Sequence, residues 1–101
     1  MAAYVVADVE IRDREKYDEY RSQVPSSIEA FGGKFLVRGG QTEMLEGTWN
    51  PKRFVILEFE SLEKAKEWWN SEIYRAPKEL RQSASITNMI VTEGVEAPVR
   101  R

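Results

Sequence analysis

The chain has 101 residues, which is enough for one domain with a small hydrophobic core. Its formal net charge of -2 and the lack of a basic block exclude the broad electrostatic signature of a nucleic-acid binder. The chain contains neither cysteine nor histidine, so disulfides, thiolate nucleophiles, histidine triads and the usual zinc and haem ligands are excluded as well.

Residues 3–11 alternate in the manner of a β-strand and form the first predicted element. One face of this strand is entirely apolar, whereas the other changes from apolar to acidic at Asp8. Asp13 has the side chain of a helix N-cap, and apolar residues then recur at three- and four-residue steps until the glycine pair at 32–33 ends the helix. Pro25 lacks a backbone donor, so we expect a kink or a restart of the helix there.

The next two predicted strands cover residues 34–47 and 53–60. Gly39 and Gly40 lie within the first of them, and a glycine-rich bulge that bends one long strand is the favoured interpretation. The alternative is a small nest of backbone amides that binds an anion. The strand at 53–60 repeats the pattern of the first strand, because its second face also changes from apolar to acidic, at Glu58.

Ser61 and Ser71 are predicted to be the N-caps of two further helices, and residues 85–95 form the last predicted strand. We expect residues 1–95 to form a single domain and residues 96–101 to be a flexible C-terminal tail. The order of elements predicts an α+β fold with ferredoxin-like βαββαβ topology and an antiparallel-type sheet. In this arrangement we expect strands one and three to be adjacent, central and parallel, with the helices on one face of the sheet.

The face of the sheet that points away from the helices is predicted to be too apolar to remain in water. Four side chains of strands one and three lie on it: Tyr4, Val6, Phe54 and Ile56. Burying each of them would contribute very roughly 1.5–3 kcal/mol before entropy is counted. A second copy of the same sheet is available as a cover, so we predict a homodimer packed sheet against sheet.

Four segments together resemble the family called domain of unknown function 1330: FGGKFLVRGG, EGTWNPKRFVILEFES, WWNSEIYRAPKELR and VTEG. The resemblance covers about residues 3–95. It implies the dimeric α+β barrel superfamily, in which two ferredoxin-like subunits join their sheets. That superfamily includes small monooxygenases, muconolactone isomerases and ligand-binding regulatory modules, besides haem-dependent branches that use a histidine absent from this chain.

Asp8 and Glu58 are the candidate catalytic carboxylates, because each is the third residue on the outward face of a central strand. Two carboxylates held close together cannot both ionise easily, so the pKa of one would rise and suit a general acid or base. The alternative is that both are hydrated or paired with arginine. Arg38 would reach Glu58 or anchor the carboxylate of a ligand by two-point contact, with a structural ion pair as the alternative.

The remaining candidates lie on the later helices and the last strand. Trp68 and Trp69 point about 100° apart, so one is expected in the core and the other at a pocket or the dimer seam, with Trp69 as the ligand-binding candidate. The family resemblance includes Tyr74 and Arg81, which lie two turns apart on one helix face. Tyr74 is a candidate proton donor or a structural tyrosine, Arg81 a candidate ligand contact, and Asn88 a candidate uncharged donor.

These features favour a cytoplasmic homodimer whose pocket holds a small, partly apolar molecule with a carboxylate or carbonyl group. The sharper version of this hypothesis is an enzyme without a cofactor that isomerises or oxygenates an activated substrate. The alternatives are a non-catalytic ligand-binding module and a purely structural dimer. No metal-ligand spacing is present, no apolar run approaches the ~20 residues of a membrane span, and no signal peptide is recognisable, so we expect no metal, nucleic-acid or membrane partner.

Overall fold

The computed structural model describes residues 1–95, and the predicted tail at 96–101 lies outside this range. Within the described residues, four strands and three helices follow one another in the order β1 (Ala3–Ile11), α1 (Arg14–Ala30), β2 (Lys34–Arg38), β3 (Phe54–Phe59), α2 (Leu62–Trp69), α3 (Glu72–Ala84) and β4 (Ser85–Glu93). This order confirms the predicted ferredoxin-like pattern, with the second helical region divided into α2 and α3. No helix in the described part is long and apolar enough to cross a membrane.

The sheet has the strand order β2-β3-β1-β4, and every neighbouring pair is antiparallel. The prediction that β1 and β3 run parallel is therefore wrong. The crossover through α1 makes β1 and β2 parallel, and β3 returns antiparallel to β2 into the gap between them. In the resulting register Asp8 lies opposite Phe54, whereas Glu58 lies opposite Tyr4. The two carboxylates are thus several residues apart along the sheet.

The second strand is much shorter than predicted. It ends at Arg38, and residues 39–53, called here the 39–53 segment, contain no helix or strand. The irregularity in the β2–β3 pairing lies between Phe35 and Val37, so the glycines do not form the bulge. Gly39 instead has a φ of 74° and makes the last backbone hydrogen bond to β3, with its N–H 2.8 Å from the Phe54 oxygen. This left-handed conformation, which glycine tolerates best, directs the chain away from the sheet.

The three predicted helix N-caps are confirmed. Asp13, Ser61 and Ser71 each accept a hydrogen bond from the backbone N–H three residues later, at 3.1, 3.1 and 3.2 Å. Helix α1 continues through Pro25 as one helix, so the alternative of a restart there is wrong. It ends as predicted at the glycine pair: the Gly33 N–H donates to the Ile28 carbonyl at 2.9 Å in a Schellman turn.

The core lies between the helices and one face of the sheet. Its strand side chains belong to the predicted apolar faces of β1 and β3, and its helix side chains come mainly from the predicted stripe of α1, together with Trp68 and Tyr74. The opposite face carries the four side chains predicted for the dimer, which are partly buried in the single chain: Tyr4, Val6, Phe54 and Ile56. Ile90 of β4 lies opposite Val6 on this face and is 63% exposed. We call this surface the outer face.

Candidate functional site

A small cavity lies between the sheet and the helices, close to the ends of β2 and α3. Its volume is about 30 Å³, which is room for one or two water molecules. Apolar and tyrosine side chains from β1, β3 and α1 form most of the wall. Among the described residues that line it there is no carboxylate, but there are four arginines: Arg21, Arg38, Arg53 and Arg81. We call this space the arginine cavity.

Arg81 is the most deeply buried cation of the described chain, with 4% of its surface exposed. Its Nε donates a hydrogen bond to the Tyr74 oxygen at 3.3 Å, while its Nη2 is buried without any hydrogen-bond partner in residues 1–95. The rings of Tyr20 and Trp69 lie 6.0 and 5.8 Å from the guanidinium carbon. Aromatic faces stabilise a cation partially, but no carboxylate within residues 1–95 pairs with this charge.

Tyr20 and Tyr74 continue the hydrogen-bond chain from Arg81 into the arginine cavity. Their hydroxyl oxygens are 3.0 Å apart. The Tyr74 hydroxyl accepts a hydrogen bond from Arg81, so it can donate its own proton to the Tyr20 oxygen. The Tyr20 proton is then free to donate to a group in the cavity. Burial first, and then the neighbouring Tyr74, raise the pKa of Tyr20 well above its ordinary value. Tyr20 is therefore a neutral donor and not a base.

Arg38 owes its position to the proline in α1. The Arg21 carbonyl has no helical donor because residue 25 is proline, and the Nη2 of Arg38 donates to that carbonyl at 3.0 Å. The guanidinium also lies 4.2 Å above the ring centre of Phe35. Burial and the charges of Arg21 and Arg53 lower the pKa of Arg38. Its surroundings are thus cationic and favour an anion.

The sequence pattern of residues 2–95 matches the family described as domain of unknown function (DUF1330). The chain belongs to this family. Since the match covers nearly all of the described residues, the resemblance that the four sequence segments indicated is confirmed.

Solved structures similar to this DUF1330 chain share its fold. RPA0582, a protein of unknown function from Rhodopseudomonas palustris, is 21% identical with a TM-score of 0.77 and covers 95% of this chain and 84% of its own. SnoaB, a cofactor-independent oxygenase from Streptomyces nogalater, is 5% identical with a TM-score of 0.64, covering 98% of each chain. A candidate antibiotic biosynthesis monooxygenase from Nitrosomonas europaea is 12% identical with a TM-score of 0.56, covering 95% of this chain and all of its own.

These identities are low, so the likeness shows the fold alone, and it agrees with the predicted ferredoxin-like α+β fold. Among curated proteins, none matches the sequence of this DUF1330 chain. The family and the neighbours therefore name no substrate for it.

The predicted carboxylate pair does not form in this DUF1330 chain. Glu58 contacts Lys34 at 3.4 Å and accepts a hydrogen bond from the Tyr4 hydroxyl at 3.4 Å, so the predicted contact with Arg38 is absent. Asp8 accepts from the Trp49 Nε1 at 3.0 Å and from the Lys52 N–H at 2.9 Å. Asp8 thereby anchors the 39–53 segment to the outer face, and the antiparallel register explains the separation of the two acids.

Four other candidate residues also lie outside the arginine cavity. The Gly39 amide is used by β3, and Gly40 follows it in the 39–53 segment, so no glycine nest faces the cavity. Asn88 lies opposite Asp8 and lines a cleft of about 280 Å³ on the outer face. Trp69 lines a cleft of about 180 Å³ between α2 and β4. Trp68 is the tryptophan buried in the core, and its buried ring contributes to the lining of both this cleft and the arginine cavity. The sequence left open which of the two tryptophans enters the core, and the structure assigns this position to Trp68.

Of the predicted residues, Arg38 and Arg81 line the arginine cavity, and Tyr74 contacts it through Tyr20. Sequence reasoning missed Tyr20 and Arg53. Tyr20 was hidden in the apolar stripe of α1. Arg53 has the same two-residue spacing as Val55 and Leu57, which lie on the buried face of β3. This spacing could have predicted that the arginine points toward the helices.

Proposed function

We propose that this chain binds a small organic anion, such as a carboxylate or an enolate, in the arginine cavity. The observation that carries the proposal is Arg81, which is 4% exposed and has a buried Nη2 without a partner in the described chain. Burial of an unpaired charge costs several kcal/mol, and a bound anion would offset this cost. Arg38 and Arg53 would add positive charge, and Tyr20 would donate a hydrogen bond.

The donors of the cavity suit an enzyme that stabilises negative charge without a cofactor. Buried arginine and tyrosine donors aimed at an oxyanion are effective because water is excluded. The described lining includes no carboxylate that could remove a proton from carbon. A substrate would therefore arrive already ionised, as an activated carbonyl compound does. Similarity of fold to the oxygenase SnoaB supports this version of the proposal.

A non-catalytic binding module is the second candidate, and the same absence of a base in the described lining favours it. In that case the arginine cavity would hold a stable carboxylate without turnover. The two candidates differ in whether the bound anion is consumed. Incubation of the protein with ionised phenols or 1,3-dicarbonyl compounds under oxygen, followed by mass spectrometry, separates them.

The binding proposal is tested with small carboxylates. We expect acetate to raise the melting temperature of the protein, whereas acetamide, which has the same shape without the charge, does not. Substitution Tyr20→Phe removes a hydrogen bond to a charged group, so the affinity for acetate should fall by roughly tenfold or more. Tyr4→Phe is the matched control because Tyr4 lies on the outer face. An equal response to acetate and acetamide would contradict the proposal.

We also propose that the protein is a homodimer that buries the outer face. The fold class of its neighbours and the apolar side chains of β1, β3 and β4 support this. Ile90 is 63% exposed in the single chain, so Ile90→Glu should leave the monomer folded but dissociate the dimer. Sedimentation at micromolar concentration would detect the change, with Ile73→Glu on α3 as the control. A wild-type monomer would rule the homodimer out.

The cytoplasmic location and the single domain at 1–95 stay predictions from the sequence. No cofactor is part of the proposal, since the donors named above come from the chain itself.

A further inference from the structure

A second, more open cleft lies directly beside the arginine cavity. It has a volume of about 250 Å³ and is lined by Val9, Ile11, Arg14, Gly39, Lys52 and Arg53. Val9 and Arg53 also line the arginine cavity, so these two side chains form the wall between the spaces. We call the second space the basic cleft, because every charged residue of its described lining is a cation.

Gly39 leaves the space in which the Arg53 guanidinium lies in this wall. A Cβ atom at Gly39 would overlap the Arg53 guanidinium, so only glycine permits the observed position. Gly39 also has a φ of +74°, a backbone angle that residues other than glycine rarely adopt. The Nε of Arg53 is buried and has no hydrogen-bond partner in residues 1–95. The wall therefore contains a cation whose hydrogen-bonding capacity is partly unused.

The cations of the basic cleft also lack acidic partners. Within residues 1–95, no charged side-chain nitrogen of Arg14, Lys52 or Arg53 lies within 4.0 Å of a carboxylate, and Asp8 contacts Lys52 only through its backbone N–H. The nearby Arg12 and Arg21 are paired with Glu10 and Asp18. Three like charges that face one cleft repel each other, and an anion placed among them would relieve this repulsion.

The sizes of the two spaces restrict how a ligand can lie. About 30 Å³ accommodates a carboxylate-sized group but not an organic molecule, for which pockets are usually about 300–1,000 Å³. The remainder of a ligand whose head group contacts Arg81 must therefore extend beyond the arginine cavity. The basic cleft shares Val9 and Arg53 with the arginine cavity, so it is the adjacent space in which we place this remainder.

We propose that the ligand of this chain is a short dianion, with one anionic group in the arginine cavity and a second one held by Arg14 and Lys52 in the basic cleft. This inference rests on the proposed anion-binding function. Arg53 lies between the two groups and contacts both. The class of ligand is a small α,ω-dicarboxylate, or a molecule with the same spacing of two negative groups and an apolar connection that packs on Val9.

The test compares dicarboxylates with monocarboxylates of the same carbon number, from malonate and propionate to adipate and hexanoate, by calorimetric titration of the full chain. We expect a dicarboxylate of fitting length to bind at least tenfold more tightly than its monocarboxylate. In the double variant Arg14→Ala/Lys52→Ala this advantage should disappear, while the affinity for the monocarboxylate changes less than threefold. Lys16→Ala/Lys66→Ala is the control, because it removes the same charge away from the basic cleft.

Each outcome distinguishes the two proposals. Monocarboxylate binding without a dicarboxylate advantage at any length would overturn the second subsite and leave the proposed function intact. An advantage that survives Arg14→Ala/Lys52→Ala, or that the control variant removes equally, would also overturn the second subsite. Absence of binding for both series would refute the proposed function itself.

Discussion

Substitution Arg81→Met is expected to abolish the thermal response to acetate without lowering the melting temperature of the ligand-free protein. Methionine keeps much of the volume of arginine but removes a buried charge that has no acidic partner in residues 1–95. Replacing buried charges with apolar side chains of similar volume is often neutral or stabilising by about 1–4 kcal/mol. Loss of the cation should at the same time reduce carboxylate affinity by roughly a hundredfold, because removing one partner of a buried charge pair costs about 2–5 kcal/mol.

The control for this variant is Arg75→Met on the same helix. Arg75 is exposed and contacts Glu72 at 3.0 Å, so its loss should change stability by less than about 1 kcal/mol and leave the acetate response unchanged. Scanning calorimetry with and without acetate measures both quantities. If Arg81→Met strongly destabilised the free protein and still responded to acetate, Arg81 would be a structural cation held by Tyr74 and the aromatic rings.

Substitution Trp68→Ala is expected to destabilise the protein by about 3–5 kcal/mol, a large share of the stability of a small domain. Trp68 is 1% exposed, and its ring stacks on Tyr74 with ring centres 4.0 Å apart. Its Nε1 donates to the buried Ser27 hydroxyl at 3.0 Å. The alanine substitution would therefore create a cavity and remove this hydrogen bond. Because Tyr74 rests on Trp68, the hydrogen-bond chain to Arg81 should loosen as well.

Urea unfolding provides the measurement, and the neighbouring tryptophan provides the control. Trp69 is only partly buried and points about 100° away on α2, so Trp69→Ala should cost clearly less than Trp68→Ala. Trp68→Phe should recover part of the stability because an aromatic ring can still pack on Tyr74. Equal losses for Trp68→Ala and Trp69→Ala would show that Trp68 does not hold the core in the manner described.

The local features of the fold were predictable because they depend on residues close together in the chain. Asp13, Ser61 and Ser71 cap helices through contacts that span three residues, and each is found as expected. The alternation in β1 and β3 correctly separated a buried face from the outer face. Alternation is the same in parallel and antiparallel sheets, however, so it could not give the direction of β3 relative to β1.

The fate of the glycines shows a second limit of local reasoning. A β-bulge and a turn out of the sheet can both require glycine with a positive φ. The two glycines at 39–40 are therefore compatible with either structure. The tertiary structure places the irregularity between Phe35 and Val37 and uses the positive φ of Gly39 to leave the sheet, where the Arg53 guanidinium, fourteen residues later, occupies the space beside the glycine. A contact of this kind has no signature in the residues around the glycines.

For the candidate site, the sequence likewise predicted the available chemical groups but not their arrangement. Composition established that no histidine or cysteine can act and that arginine, tyrosine and carboxylates are the available groups, since these are properties of the residues alone. Their grouping depends on long-range geometry. The β2–β3 register places Glu58 opposite Lys34 and Arg38 opposite Val55, and the missing donor at Pro25 leaves the Arg21 carbonyl free to accept from Arg38. Packing of α3 on α1 then leaves Arg81 beside Tyr20 and Tyr74, buried and without an acidic partner in residues 1–95.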